Sequence, residues 1–381
     1  MASVSLPDGF LDELKSRLKP SDVIGRKVKL TRKGKEWVGL SPFTAEKTPS
    51  FYVNDAKGIF KDFSSGLGGD IITFLRETER LEFMEAVEKL AEEAGLAMPT
   101  ASPAEAARYD RLARLKAACS AANVWFQEQL RGGAGEAART YLQDKRGLGP
   151  EAWARWGIGY VPDDWRLLRT HLLREGFTDE ELQGAGLIKT SDKGGEPYDL
   201  FRGRVMFPIA DAKGDVIAFG ARTLDPDGKP KYLNSPDTDL FHKSRVLYNY
   251  KRARESLSYG GRGGLIVCEG YIDVIALGEA GFDNAVAPLG TALTGDQLAA
   301  LWKAGPDPIM CFDGDAAGLR AAHKAVDTSL PHVLPDRSVY FAFLPDGQDP
   351  DDLLKAQGAP ALHKLLEAAQ PMVKLLWQRE T

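Results

Sequence analysis

Three short stretches in the last third of the chain carry the residues best suited to chemistry. In LIVCEGYID an apolar run ends at Glu269-Gly270, with Asp273 one turn further on. PIMCFDGD ends in Asp313-Gly314-Asp315, and VYFAFLPDGQDPDD brings Asp346, Asp349, Asp351 and Asp352. Carboxylates this concentrated repel one another unless cations lie among them. Such oxygen-rich sites suit magnesium or manganese, which take a few carboxylates and complete their shell with water or phosphate. Two such ions can hold the attacking and leaving oxygens of a phosphoryl displacement. One Asp-x-Asp alone reads as easily as a helix cap or turn; three acid-bearing runs in succession do not. Gly270 and Gly314 are expected to let a phosphate or metal approach the backbone. Cys268 and Cys311, inside apolar runs, are expected to be small buried core residues.

These acids need a scaffold, and the surrounding pattern supplies one. From about residue 264, apolar strands alternate with helices at 271–281, 294–304, 315–328 and 350–357. That order implies a parallel sheet covered on both faces, with the acids at the carboxyl ends of its strands, where ligands of open α/β sheets bind. Upstream, RVMFPIAD, VIAFGARTL and KYLNS, joined by turns such as DAKGD and DPDGK, predict a small antiparallel sheet. This segment holds Arg202, Arg204, Arg222, Lys229, Lys231 and Lys243. Fixed cations beside an acidic edge are what a triphosphate would require, although each alone could be a surface ion pair. A helix is predicted over 104–130, from Leu112, Leu115, Ala118, Ala122, Trp125 and Phe126 at helical spacing. The tract MPTASPAEAA (98–107) before it reads as a linker.

The first hundred residues predict a small unit: a helix over 8–18, strands near 27–31, 35–40, 50–53 and 58–62, the Gly-rich turn SSGLGGD, then helices near 70–77 and 81–95. Between Lys15 and Lys61 there are twelve basic and four acidic side chains, a net charge of +8 on a chain whose total is −5. A basic lobe on an acidic chain is the footprint of a polyanion site. Lys27, Lys29, Lys33, Lys35, Lys47 and Lys61 are its candidate phosphate contacts, with Tyr52 a candidate stacking ring.

Composition sets the outer limits. With 381 residues, 43% of them hydrophobic and 27% charged, the chain is an ordinary multidomain globular protein. No apolar run is long enough for a membrane span, and the amino terminus lacks a secretory signal. Three scattered cysteines exclude a disulfide framework and a thiolate zinc cluster, which fits a cytoplasmic setting.

Glu269 followed by Asp313-Gly-Asp315 on alternating strands resembles the Toprim fold of primases, topoisomerases and some nucleases. Together with FRGRVMFPI, AFGARTL, PKYLNSPDTDLFHKS and the N-terminal ribbon, the pattern resembles the bacterial replicative primase of the DnaG type, from residue 8 to about 370. The resemblance implies catalytic Glu269, Asp313 and Asp315. It implies magnesium or manganese held by these with Asp273, Asp349 and Asp351. It also implies nucleotide and primer contacts from Arg202, Arg204, Arg222, Lys229, Lys231, Tyr232, Asn234 and Lys243, with Arg146 near the template path.

The implied fold is α/β multidomain, with a zinc-ribbon-like unit over 1–98, a linker over 99–107 and a polymerase-core subdomain over 108–262. A Toprim subdomain over 263–345 follows, and 346–381 form an acidic loop leading into a truncated helical region. The implied function is DNA-dependent RNA polymerase activity, making short RNA primers on single-stranded DNA from ribonucleoside triphosphates. A helicase partner would be reached through a C-terminal module not contained here. The alternatives are another Toprim enzyme, nuclease-like or topoisomerase-like, or a non-catalytic single-stranded DNA-binding protein.

One departure stands out. The family ribbon carries Cys-Pro-x-His and then Cys-x-x-Cys, but this chain has Ser41-Pro42-Phe43-Thr44 and Asp62-Phe63-Ser64-Ser65. Zinc requires nitrogen or sulfur ligands in a closed tetrahedron, so no zinc is expected. Forfeiting a structural zinc removes roughly 10–16 kcal/mol of apparent binding energy. The turns are therefore expected to be held by Asp62 accepting hydrogen bonds from the Ser41, Thr44 or Ser65 hydroxyls, above a core of Trp37, Phe43, Phe51 and Phe60.

Overall fold

The structure, a computed structural model, describes residues 6–7, 9–79, 81–99, 103–191, 194–258, 264–290, 292–305, 307–334 and 337–381. By its internal contacts the chain divides into two units, 1–110 and 111–381. The expected boundary at 262–263 and part of the expected linker lie outside the described residues.

The first unit is a five-stranded antiparallel ribbon in sequential order: β1 (Thr31–Lys33), β2 (Glu36–Gly39), β3 (Phe51–Asn54), β4 (Ile59–Asp62) and β5 (Gly68–Gly69). In β3 the alternation Phe51, Val53 in and Tyr52, Asn54 out selects one buried face. In β4 Phe60 and Asp62 turn inward. Phe51 stacks on Phe60 with ring centroids 5.3 Å apart. Phe74 of the helix Ile71–Glu79 closes the cluster edge-on to Phe60 at 5.7 Å, and Val87 and Leu90 of the helix Phe83–Ala94 complete the core. The sequence places a strand over 27–31, but Val28 is instead a buried anchor after a short helix, Pro20–Gly25, and β1 begins only at Thr31. Pro20 at the first turn of that helix, where its missing N–H costs nothing, is the signal that was available.

The part of a long helix, Pro103–Arg131, that belongs to the second unit contributes Leu115, Ala118, Ala122 and Phe126 to a core beneath an antiparallel sheet. That sheet comprises β6 (Gly159–Val161), β9 (Arg204–Ala210), β10 (Val216–Thr223) and β11 (Tyr232–Asn234), in the order β11-β10-β9-β6; a separate two-stranded pair joins β7 (Ile188–Lys189) to β8 (Tyr198–Asp199). A second five-stranded sheet follows, made of β12 (Ile266–Val267), β13 (Ala285–Val286), β14 (Ile309–Gly314), β15 (Tyr340–Asp346) and β16 (Gln370–Pro371), in the order β13-β12-β14-β15-β16. Its first four strands are parallel, as the alternating pattern implies, while β16 adds an antiparallel edge to β15. One continuous hydrophobic cluster runs through both sheets, from Leu130 and Trp156 by way of Phe207 and Tyr271 to Leu344 and Leu362.

Candidate functional site

Parallel pairing decides where the acids go. Val267 pairs with Met310, and Phe312 with Phe343, so β12, β14 and β15 end side by side. Past these ends the backbone is laced together: Gly347 N donates to the Gly314 carbonyl at 3.0 Å, and Gly314 N to the Gln348 carbonyl at 3.2 Å. A Cβ on Gly314 would sit 2.0 Å from the Pro345 carbonyl oxygen. The glycine there is thus required by neighbouring backbone rather than by a phosphate, contrary to the expectation. Gly270 does line the cleft, and a Cβ there would meet only the Asp273 carboxylate, at 3.1 Å.

The cleft has a volume of about 340 Å³ and is lined by Glu269, Asp273, Asp313 and Asp349. Arg146, Lys231, Tyr232 and Asn234 line the same cleft. Burial, and then the charges of Asp349 and Asp313, push the Asp273 carboxyl up to about 8. Burial, and then Glu269 and Asp349, push Asp313 up to about 7. Oδ1 of Asp313 is buried without a hydrogen-bond partner, as are Asn234 Oδ1 and the Tyr271 hydroxyl on the same cleft. Unpartnered buried oxygens beside mutually repelling carboxylates fit a hard divalent cation. The carboxylates line the cleft without closing on one point: among the described residues no three His, Cys, Asp or Glu side chains are grouped so as to hold an ion as they stand.

Other expected residues have different surroundings. Asp315 caps the helix Ala316–Ser329, accepting from Ala317 N and Gly318 N at 2.7 Å each. Asp349 also caps a helix, Pro350–Gln357, through Asp352 N at 2.8 Å, while still facing the cleft. Asp351 is buried and ion-paired to Arg146 at 3.1 Å and Lys355 at 2.7 Å. Arg204 is buried and donates to the Pro230 carbonyl at 2.9 Å. Arg222 stacks on Tyr141 at 4.2 Å, with its Nε buried and unpartnered. Arg202 lies on the Trp165 ring at 4.0 Å, Lys229 is exposed, and the Lys243 carbonyl is bound by Gln297 at 2.9 Å.

Four cleft residues, Tyr271, Ile272, Pro288 and Gly290, escaped the sequence reading. Tyr271 follows Glu269-Gly270 directly and stacks against Phe207 at 4.9 Å. Gly290 has φ +79°, and a Cβ there would sit 2.9 Å from Asn234 Nδ2. The Pro-Leu-Gly turn after β13 was the available signal. Cys268 and Cys311 are buried, as expected.

On the ribbon, an open groove of about 510 Å³ is lined by Tyr52, Lys57, Lys61 and Phe63. Phe63 is 61% exposed, meets Tyr52 edge-on at 5.5 Å, and has the Lys61 ammonium over its ring at 5.0 Å. Lys29, Lys33, Lys35 and Lys47 are exposed, whereas Lys27 pairs with Glu79 at 2.9 Å.

At the positions of the family's zinc ligands, Asp62 is fully buried. Its Oδ2 accepts from Ser41 Oγ at 2.6 Å and Ser65 Oγ at 2.5 Å, and its Oδ1 accepts from Ser64 Oγ at 2.9 Å. Thr44 does not reach it; the Thr44 hydroxyl meets Ser64 Oγ at 2.5 Å instead. Neutral hydroxyls around one carboxylate do not fit zinc, which requires nitrogen or thiolate donors.

Three family descriptions match in sequence along the chain: the CHC2 zinc finger over residues 6–106, the DNA primase catalytic core N-terminal domain over 125–254, and the Toprim domain over 263–337. The chain is 41% identical over 378 residues to the DNA primase of Escherichia coli K12, covering 98% of this chain and 64% of that protein. It is 38% identical to the DNA primase of Pseudomonas putida KT2440, covering 98% of this chain and 57% of that protein. Among solved structures, a DNA primase domain from Pseudomonas aeruginosa superposes with a TM-score of 0.66 at 41% identity, covering 70% of this chain and 82% of that one. The zinc-binding and RNA polymerase domains of the Aquifex aeolicus primase give a TM-score of 0.61 at 32% identity, covering 95% of this chain and 85% of that one. The chain belongs to the DnaG-type DNA primase family. It spans a little under two thirds of the length of the curated E. coli relative.

Proposed function

We propose that this chain makes RNA primers on single-stranded DNA by joining ribonucleoside triphosphates. The observation that carries the reading is the cleft at the carboxyl ends of β12, β14 and β15, which four acids line together with Arg146, Lys231 and Asn234. A relative solved as a DnaG catalytic domain bound to single-stranded DNA, 41% identical to this chain, supports the template assignment.

In this reading Glu269, Asp273, Asp313 and Asp349 hold magnesium or manganese. When bound, the metal neutralises charge on the attacking and leaving oxygens of the α-phosphate displacement. Lys231 and Arg146, which line the same cleft, offset the remaining triphosphate charge, with Arg222 stacked on Tyr141. Asn234 offers an amide whose oxygen is unpartnered, ready for a polar group of the incoming nucleotide. No protein base is required in this reading, and Glu269, which is exposed and lines the cleft, would assist in taking the proton from the primer 3′ hydroxyl. Asp315 and Asp351 act by holding the acidic loops in place. Arg202, Arg204, Lys229 and Lys243 complete the nucleotide and primer path, while the basic ribbon reads the template. The metal requirement includes no zinc. The helicase partnership is a further proposal that rests on the resemblance alone.

The test is de novo primer synthesis on single-stranded DNA with labelled ribonucleotides and either metal. Labelled primers support the reading; DNA bound without synthesis would favour a non-catalytic binding protein, and metal-dependent cleavage of the strand would favour a nuclease.

A further inference from the structure

We propose that the Asp62 carboxylate does the structural work of a metal ion in the N-terminal unit, clamping two turns that the family's sequence pattern joins through zinc. The claim extends the metal reading above, and its test does not depend on primer synthesis.

The geometry is that of a hub. Besides the three hydroxyls, Asp62 Oδ1 accepts from Ser64 N at 3.2 Å, while Ser50 Oγ, 3.3 Å away, gives its one hydrogen to Glu46 at 2.6 Å. Four donors therefore converge on one carboxylate, about as many as its lone pairs can accept. The hydroxyls pass the connection on: Ser41 Oγ accepts from Phe43 N at 3.0 Å and Thr44 N at 3.2 Å, and Ser65 Oγ accepts from Leu67 N at 3.3 Å. Each turn is thus closed by its own serine, and both serines end on the same oxygen, Asp62 Oδ2.

Glu46 forms a second anchor on the same side. It accepts from Ser41 N at 2.7 Å and from Ser50 Oγ at 2.6 Å, tying the 41–50 loop to the start of β3. A cation entering the hub would have to displace hydrogen bonds already made to every acceptor of Asp62. It would gain only hydroxyl oxygens in return, which are poor ligands for zinc. Beneath the hub, Phe43 lies 6.2 Å from each of Phe51, Phe60 and Phe74, so the turns are also seated on the aromatic core. Charge-assisted hydrogen bonds to a buried carboxylate are among the stronger ones, and removing the charge would weaken every one of these part-buried bonds.

Two properties follow. The unit folds in the presence of chelators, and peroxide has no ribbon thiolate to attack, since its positions are Ser, Thr, Asp and Ser. The four positions remain neighbours: Ser41 and Ser65 donate directly to Asp62, and Thr44 reaches it through Ser64. Restoring the ligands as Ser41→Cys, Thr44→His, Asp62→Cys and Ser65→Cys should therefore restore a zinc site.

The experiment combines elemental analysis of the untagged chain with hydrogen–deuterium exchange over residues 41–67, with and without EDTA. Wild type is expected to carry no stoichiometric zinc and to keep its protection in chelator. Asp62→Asn is expected to raise exchange in this segment by about tenfold or more. The fourfold variant is expected to bind one equivalent of zinc and to lose protection in EDTA. Stoichiometric zinc in wild type, chelator-sensitive protection in wild type, or unchanged exchange in Asp62→Asn would each overturn the proposal. A fourfold variant that folds but takes no zinc would overturn the claim that the hub occupies the metal's place.

Discussion

The Arg146 guanidinium donates to the Asp351 carboxylate at 3.1 Å across 205 residues of sequence, and its Nε donates to the Tyr141 hydroxyl at 2.7 Å. One side chain thereby joins the end of the helical turn Tyr141–Lys145 to the first turn of the helix Pro350–Gln357. Asp351→Ala should cost about 2–3 kcal/mol in denaturant unfolding, at or below the low end for breaking a buried pair because Arg146 keeps some solvent. The loss should appear with no metal present. A variant as stable as wild type would leave Asp351 free to be a ligand.

Asp313→Asn should remove the unpartnered carboxylate oxygen while keeping its shape. Primer synthesis is expected to fall by about 10²–10³-fold or more, with no loss of stability, since the neutral amide relieves burial of the charge and repulsion from Glu269 and Asp349, and with unchanged affinity for single-stranded DNA. Full synthesis from the folded variant would contradict the metal assignment.

Lysines on the ribbon should not contribute equally to DNA binding. Lys33 is exposed on β1, so Lys33→Ala should lower the slope of log affinity against log salt by about 0.7, the loss of one contact on a single strand. Lys27 already pairs with Glu79, so Lys27→Ala should change that slope little. Fluorescence anisotropy across a salt series reads both, and equal changes would show that the Glu79 pairing does not withhold Lys27.

Acid should act on the ribbon through Asp62. Although burial opposes its charge, hydrogen bonds from Ser41, Ser65 and Ser64 hold its carboxyl down at about 2, against an ordinary value of 3.8. A depressed folded pKa contributes stability above about 3.8, and that stability is lost as pH falls through about 2. Exchange over residues 41–67 should therefore rise between pH 4 and pH 2 in wild type. In Asp62→Asn the part of this acid dependence that comes from residue 62 should be missing, leaving only that of Glu46, whose carboxyl is held down by hydrogen bonds from Ser50 and Ser41.

The acidic strands were legible because each apolar run stops at a carboxylate, and the parallel pattern then places the stops side by side. The pairing of Asp62 with Ser41 and Ser65 was also legible, since a frame without ligands needs some polar closure. Thr44 was misassigned because a shared turn does not say which hydroxyl is nearer; Ser64 lies in between. Glu46 and Ser50 gave no signal, because their role depends on how the loop folds back. β6 was missed for a similar reason: three buried residues, Gly159–Val161, show no alternation and become a strand only beside β9. Arg202, Arg204 and Arg222 show the limit for cations, whose charge is visible in sequence but whose stacking and carbonyl partners are not.

The hydrophobic cluster that runs from Leu130 to Leu362 has a consequence for how the second unit comes apart. Trp156 sits against Gly278, where a Cβ would lie 2.4 Å from its ring, and its indole donates to Glu279 at 2.8 Å. Tyr248 pairs with Ala287 beside β13. The antiparallel sheet and the acid-bearing sheet therefore share their interior, and neither can melt without exposing the other. Residues 111–381 should unfold as one cooperative block, and an acid-bearing sheet cut out on its own would be left without half of its core.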